Sequence, residues 1–173
     1  ATFGGLNYME FYKNNHVIIN PLRLKKWIKN EMENSIVLYY TGTSRDSGNI
    51  IKEQAKATQN EKSRDAMLKI KEQTALMKEY ILKANFDGIA ECLHQNWLEK
   101  KKTASIISNP KIEEIYNYIL QNGGKAAKIS GAGGGGFMII WCDPQRRYDL
   151  IRALKNRKEG KTKIVDFVEF GAQ

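Results

Sequence analysis

The sequence predicts an α+β domain of ferredoxin-like type, a mostly antiparallel sheet with helices inserted between its strands. Three observations carry this. Short apolar or alternating runs, rich in aromatic and β-branched residues, recur from Leu6 to Phe170. Between them lie segments with apolar residues at three- and four-residue steps, the period of a helix with one buried face. Several strand-like runs are neighbours in the chain, separated only by turn residues, which is hairpin chemistry. Strands and helices mixed in this way pack as α+β, here with the helices expected on one face of the sheet.

Leu6 to Phe11 alternates, Lys13-Asn14-Asn15 is turn-like, and His16 to Asn20 reads as the returning strand of a hairpin. Asn20-Pro21 reads as an N-cap followed by proline at the first helical position. The helix it opens carries Leu24, Trp27 and Ile28 and reaches about Glu33. Ser35 to Thr41 is a continuous apolar run of strand length, expected to be central and buried. A polar loop, Thr41 to Gly48, leads to a helix over Asn49 to Gln59. Residues 61–84 form the longest helix, with Met67, Ile70, Thr74, Met77, Ile81 and Ala84 in one stripe. Asp87 is the expected N-cap of the next helix, which runs to Thr103 with Ile89, Ala90, Leu93 and Trp97 on one face and packs antiparallel on its predecessor. Asn109-Pro110 starts a helix carrying Ile112, Ile115, Tyr116 and Ile119, and Gly123 stops it. Ala126 to Ser130 and Phe137 to Cys142 are strands flanking a glycine-rich loop. Asp143-Pro144 opens a helix to about Lys158, and Ile164 to Phe170 alternates as a last strand.

A chain of 173 residues with 42% hydrophobic residues suits one domain with a real core. No apolar stretch approaches the length of a membrane span, and no signal-peptide pattern opens the chain. Cys92 and Cys142 are expected as buried free thiols, which suits a reducing cytoplasm. The chain starts abruptly, without Met, and looks cut from something longer. His16 and His94 lack metal-ligand spacing, so no metal is assigned to this chain. The net charge of +9 fits nucleic acid, an anionic surface or phosphorylated small molecules. Most lysines are dispersed on helices, as on solvated faces. Lys100-Lys101-Lys102 and the stretch from Arg152 to Lys163 are the basic clusters that could bind phosphate.

The run Lys128-Ile-Ser-Gly-Ala-Gly-Gly-Gly-Gly-Phe137 carries the most chemistry. Five of the six residues from Gly131 to Gly136 are glycine. Such density costs backbone entropy and is kept where the chain needs positive φ or close approach. Consecutive N–H groups in such a loop form a concavity suited to phosphate. Gly131, Gly133 and Gly136 match G-x-G-x-x-G, but that motif must open a helix, and Phe137 to Cys142 reads as a strand. A Walker A loop needs Gly-Lys-Ser/Thr where this chain has Gly136-Phe137-Met138. The protein-kinase segments are missing too. A phosphate-facing loop between two strands remains, against a glycine-rich hairpin with no ligand.

Lys128-Ile-Ser-Gly-Ala-Gly-Gly-Gly-Gly-Phe resembles the third signature of the GHMP kinases. Ala1-Thr-Phe-Gly-Gly-Leu-Asn-Tyr-Met-Glu-Phe, Tyr40-Thr-Gly-Thr-Ser-Arg-Asp-Ser, Trp97-Leu-Glu-Lys100 and Ser108-Asn-Pro-Lys-Ile-Glu-Glu-Ile-Tyr116 are similar to the branch acting on D-glycero-D-manno-heptose 7-phosphate. The resemblance covers essentially the whole chain and implies residues 1–173 as the C-terminal domain of such a kinase. The ATP loop and catalytic aspartate of that family have no counterpart here, so the catalytic residues, and the ligands of Mg²⁺, are expected in an N-terminal half of the same kinase. This chain alone is expected to be inactive. The resemblance also implies ATP and a phosphosugar as small-molecule partners, transfer to the anomeric hydroxyl giving a 1,7-bisphosphate, a cytoplasmic location, and a place in nucleotide-activated heptose synthesis for surface polysaccharide. No membrane partner is expected, and nucleic acid is disfavoured.

The candidate substrate- and phosphate-binding residues are Thr43, Ser44, Arg45, Lys100, Lys128, Ser130, Gly131, Ala132, Gly133, Gly134, Gly135 and Gly136. Arg45 suits a sugar phosphate because its fork binds two oxygens at once. Trp97 is read as core rather than as a sugar platform. The rival reading is a non-catalytic basic module for a phosphorylated ligand or RNA, stacking bases on the strand aromatics Tyr8, Tyr39, Phe137 and Trp141.

Overall fold

The computed structural model describes residues 3–43, 47–57 and 59–171. A hairpin of β1 (Asn7–Phe11) and β2 (Val17–Pro21) stands apart as a two-stranded sheet. Then come α1 (Lys26–Ser35), β3 (Ile36–Tyr40), α2 (Ser47–Ala57), α3 (Glu61–Leu82) and α4 (Phe86–Thr103). A 3₁₀ turn (Ser105–Ile107) leads to α5 (Pro110–Gln121), β4 (Gly124–Ile129), β5 (Phe137–Cys142), α6 (Arg147–Asn156) and β6 (Lys161–Ile164). The second sheet has the order β4-β5-β3-β6, and every pairing in it is antiparallel. That is the ferredoxin-like arrangement: β3 sits between the hairpin strand β5 and the last strand, and α2 to α5 fill the first crossover.

The sheet is buried on both faces, because alternate residues of its strands enter two different clusters. Val37, Tyr39, Ala127, Ile129, Met138 and Ile140 meet Ile112, Ile115 and Ile119 of α5 and Leu150 and Leu154 of α6. Ala126 and Trp141 point the other way, onto Ile28 and Met32 of α1, Ile81 of α3 and Ile89 and Ala90 of α4. Helices therefore pack on both faces of the sheet rather than on the single face expected. The long α3–α4 pair is antiparallel, as expected. The Ser63 hydroxyl at its start reaches the Thr103 carbonyl (3.0 Å), and the Cys92 thiol reaches the Gln73 carbonyl (3.1 Å). Both cysteines are free and buried.

Several boundaries differ from the sequence reading. Asn20 and Pro21 do not open α1. Pro21 pairs with Asn7 at the end of the hairpin, where its missing N–H costs nothing, and Asn20 donates across the hairpin to Glu10 Oε2 (3.1 Å). Helix α1 begins at Lys26 with no side-chain cap. The N-cap of α4 is Asn85, which accepts from the Gly88 N–H (2.9 Å), while Asp87 pairs with Lys125 (2.8 Å). A 3₁₀ turn, Pro144–Arg146, precedes α6, which ends at Asn156. The last strand is Lys161–Ile164, set by the length of β3, whose Tyr40 and Val37 it matches. Beyond Ile164 the alternation belongs to an extended segment that leaves the sheet. The Phe167 N–H donates to Glu33 Oε1 (2.7 Å), and the Val168 carbonyl accepts from the Gly5 N–H (2.6 Å). In α3 the buried positions are Ser63, Ala66 and Ile81, with Gln73 half-buried and Thr74 exposed.

Ile140, fully buried in the central hairpin strand, tests this core. Ile140→Ala is expected to cost about 2–5 kcal/mol in urea unfolding, against under about 0.5 kcal/mol for Leu68→Ala on the exposed side of α3.

Candidate phosphate-binding site

The glycine loop is an extension of the sheet's central pairing. Tyr40 faces Phe137 in the β3–β5 ladder. One step on, the Thr41 N–H donates to the Gly136 carbonyl (2.9 Å), and the Gly136 N–H donates to the Thr43 carbonyl (2.7 Å). The Ser130 N–H closes the hairpin on the Phe137 carbonyl (2.8 Å), and the Gly134 N–H is held by the Ile107 carbonyl (2.8 Å). The loop is thus fixed by β3, by its own hairpin and by the 3₁₀ turn.

Gly131, Gly133, Gly134, Gly135 and Gly136 all have positive φ. Close approach adds to this at two of them. A Cβ on Gly133 would stand 3.2 Å from Ile107 atoms, and one on Gly135 2.8 Å from the Thr43 carbonyl oxygen. Both reasons for glycine density hold. Among the described residues, the N–H groups of Gly131, Ala132, Gly133 and Gly135 have no protein acceptor. The loop keeps donors in reserve, which is how a backbone concavity binds an anion.

Two lysines from different elements, near enough to interact electrostatically, lie at this end of the sheet. Lys100, in the last turn of α4, donates to the Gly131 carbonyl. Lys128, on β4, donates to Asn96 Oδ1 (2.5 Å), and Asn96 Nδ2 in turn donates to Gln73 Oε1 (3.3 Å). Neither lysine pairs with a carboxylate among the described residues. Lys29, Lys69, Lys101, Lys102, Lys111 and Lys125 each do, within 4.0 Å. Burial, and then the neighbouring Lys128, bring the Lys100 ammonium down to about 8. Burial also lowers Lys128, against a small opposing pull from the Cys92 thiol. An anion laid across the pair would relieve both effects, since an opposite charge favours the ammonium form.

The three consecutive lysines therefore divide. Lys101 bonds Glu113 (2.9 Å) and lies over the Trp97 and Tyr116 rings. Lys102 bonds Glu99 (2.7 Å). Only Lys100 faces the loop. Thr43 lies beside Gly135 and Gly136 through its carbonyl, and its hydroxyl is 3.2 Å from that of Thr41. Ser130 is exposed at the loop's entry. Ser44 and Arg45 lie outside the described residues. Trp97 is completely buried, in agreement with its reading as core. Tyr39 and Trp141 are buried and Tyr8 sits on the separate hairpin, 4.7 Å beneath the Lys78 ammonium. The row of strand aromatics expected for base stacking is therefore not a surface. The sequence reading missed Asn96, Gln73 and Ile107. The one available signal was polar residues on the facing stripes of α3 and α4.

Lys100 is placed by the α4–α5 contact. The Tyr116 hydroxyl shares a hydrogen bond with His94 Nδ1 (2.6 Å), and burial pushes that phenol up to about 12, so it stays protonated. The site offers N–H groups and ammonium groups, and neither the loop nor its two lysines bring a carboxylate. That donor set fits phosphate oxygens. It does not fit Mg²⁺, which takes carboxylate, carbonyl and water oxygens.

Residues 77–160 match the family described as GHMP kinases C terminal. The chain is 42% identical over its whole length to the D-glycero-alpha-D-manno-heptose 7-phosphate kinase of Campylobacter jejuni, and spans 51% of that protein. A Campylobacter jejuni protein solved at 2.4 Å is 40% identical, with a TM-score of 0.72 over 98% of this chain and 47% of its own. A D-glycero-D-manno-heptose 1-phosphate kinase from Bacteroides thetaiotaomicron is 32% identical, with a TM-score of 0.70 over 98% of this chain and 44% of its own. A mevalonate kinase from L. major, at 17% identity and a TM-score of 0.75 over 99% of this chain and 51% of its own, shares the fold. The chain spans about half the length of the relatives it matches.

Two outcomes are expected for the site alone. Gly131→Ala has open space around its new Cβ and bears only the cost of positive φ, about 1–2 kcal/mol. Gly135→Ala adds a clash with the Thr43 backbone and is expected to cost about 3 kcal/mol or more by chemical unfolding. For Lys100 the folded pKa lies below the unfolded 10.5, so its charge opposes folding below about 8, and the opposition fades as pH rises to 10.5. Lys100→Met is therefore expected to raise the thermal midpoint of the unliganded protein at pH 7, with the gain shrinking across that window.

Proposed function

We propose, from the match of residues 77–160 to the family GHMP kinases C terminal and from the 42% identity to a heptose 7-phosphate kinase, that the chain is the C-terminal half of an ATP-dependent kinase for a heptose 7-phosphate. The reaction would transfer the γ-phosphoryl of ATP to the anomeric hydroxyl and give the 1,7-bisphosphate. The proposal extends to residues 1–173 as one domain, to an N-terminal half bearing the ATP loop and catalytic aspartate, and to a cytoplasmic place in nucleotide-activated heptose synthesis.

The observation that carries the reading is the pair Lys100 and Lys128. Lys100 bonds the loop of unused N–H groups and Lys128 stands on the strand that leads into it, and each is held by a neutral oxygen rather than a carboxylate. Lys101 and Lys102, next to Lys100 in the chain, each have a carboxylate partner. A lysine kept free of acids, at an energetic cost, suits a ligand that brings its own negative charge. Phosphoryl transfer asks mainly for positioning and charge neutralisation. In this half the loop N–H groups and the two ammonium groups would hold phosphate oxygens of the phosphosugar, and Thr43, Ser44, Arg45 and Ser130 are proposed as further donors. Mg²⁺, when bound, would neutralise the ATP phosphates from ligands in the other half.

The test uses the full-length protein, with an intact mass of about 40 kDa expected for two domains. It is expected to turn over ATP with D-glycero-D-manno-heptose 7-phosphate and not with the unphosphorylated heptose. Lys100→Met is expected to raise KM for the phosphosugar about tenfold, the loss of one charge-assisted hydrogen bond. Because Lys100 loses its proton from about 8 upward, phosphosugar affinity of the wild type should fall as pH rises past that value. Turnover indifferent to the sugar phosphate, or salt-sensitive RNA binding in its place, would reject the assignment.

A further inference from the structure

Asn96 and Gln73 are polar side chains that meet between α3 and α4, and together they end on Lys128. Gln73 comes from α3, Asn96 from α4 and Lys128 from β4. The Asn96 amide nitrogen donates to Gln73 Oε1 (3.3 Å), which turns its oxygen toward Lys128 Nζ (2.5 Å). The Cys92 thiol of α4 donates to the Gln73 backbone carbonyl (3.1 Å), which ties the two helices together at this point. A cavity of about 150 Å³ lies at this junction, lined by Thr74, Met77 and Leu93 beside the polar residues.

We propose that Asn96, oriented by Gln73, is a positioning residue that holds the Lys128 ammonium at the glycine loop while leaving its charge uncancelled for a phosphate group of the substrate. The proposal rests on the reading of the loop as a phosphosugar site. An ammonium has three N–H donors. The Asn96 oxygen takes one and fixes its direction, and the others stay available. An aspartate at this position would fix the direction equally well, but it would compete with the phosphate for the same charge. An apolar residue would leave the ammonium buried without an acceptor, which favours its neutral form. An amide is the side chain that tethers without neutralising. Lys100 meets the same requirement through a backbone carbonyl.

The groups acting on Lys128 are few. From α4 they are the Cys92 thiol and the Lys100 ammonium. From α3 come Gln73, Thr74 and Met77, which do not titrate, and from β5 its ladder partner is Ile139. Changing Asn96 therefore changes the dominant local influence on Lys128.

The test is steady-state kinetics of the full-length kinase across pH for Asn96→Asp, Asn96→Leu, Gln73→Leu and Lys128→Met, with thermal midpoints measured alongside. Asn96→Asp is expected to raise KM for heptose 7-phosphate about tenfold at neutral pH, with kcat changed less than about threefold, and to move the alkaline loss of affinity to higher pH. Asn96→Leu is expected to raise KM and move that loss to lower pH. Gln73→Leu should follow Asn96→Leu in direction with a smaller effect. Opposite displacements by Asp and Leu are the signature a purely structural role would not give. Should the leucine variant fail to fold, the aspartate variant, nearly the same shape, still decides. If Asn96→Asp leaves KM and the pH profile as in wild type while Lys128→Met raises KM, the positioning role is wrong and the phosphate site stands. If Lys128→Met folds and also leaves KM unchanged, both fall.

Discussion

The pairing of β3 with β5 is the constraint on which the rest depends. It is the central ladder of the sheet, it carries Val37, Tyr39, Met138 and Ile140 into the larger core, and it does not stop where the strands stop. Two further backbone bonds, Thr41 to Gly136 and Gly136 to Thr43, carry it into the loops. A flexible loop with five glycines would otherwise lose much entropy on ordering. Here that cost is offset by anchoring its end to the most buried part of the sheet. The loop's positive φ values follow from the same geometry, because the chain must return from β4 to β5 while resting against Ile107 and Thr43.

The second consequence concerns the helices. The first crossover carries α2 to α5, and the antiparallel α3–α4 pair reaches the edge of the sheet at β4. Lys128 emerges from that edge strand, and its neighbours Ala127 and Ile129 point into the opposite core. The alternation of the strand thus decides that Lys128 meets α4 rather than α5. Lys100 arrives from the C-terminal turn of the same helix, where a cation is favoured by the helix dipole. Two positive groups that repel each other are brought to one loop by elements fixed elsewhere.

Much of this was legible from the chain. Strands with long apolar runs, such as Ser35 to Thr41 and Phe137 to Cys142, needed no tertiary information, since burial on both faces leaves a continuous apolar pattern. Local rules failed where a long-range partner overrode them. Asn20-Pro21 has the chemistry of a helix start, yet the hairpin partner Asn7 holds it in a strand. The alternation of Val165 to Phe170 has strand period, yet β3 has no ladder left to offer, so the segment binds Glu33 and Gly5 instead. The site was read through its glycines and lysines. Asn96 was not legible, because one amide in a helix has no pattern of its own. Its meaning comes from the direction of Gln73, twenty-three positions away in sequence and adjacent in space.

The lysine pair also shows stability set against binding. Two ammonium groups, partly withdrawn from water and without acids, disfavour the empty fold at neutral pH. The depressed value of Lys100 measures the direction of that cost. Below about pH 8 Lys100 is largely charged in the free protein, so a phosphate would meet the ammonium directly, and its opposite charge would relieve the repulsion from Lys128. A carboxylate within reach would remove the cost and the benefit together. Neutral tethers, one from a backbone carbonyl and one from an amide, would leave both charges available to the phosphate of the proposed function. Among the described residues Lys100 and Lys128 are partly buried and still lack a carboxylate partner, whereas Lys101 and Lys102, next to Lys100 in the chain, each have one, and this contrast supports the proposed phosphate site.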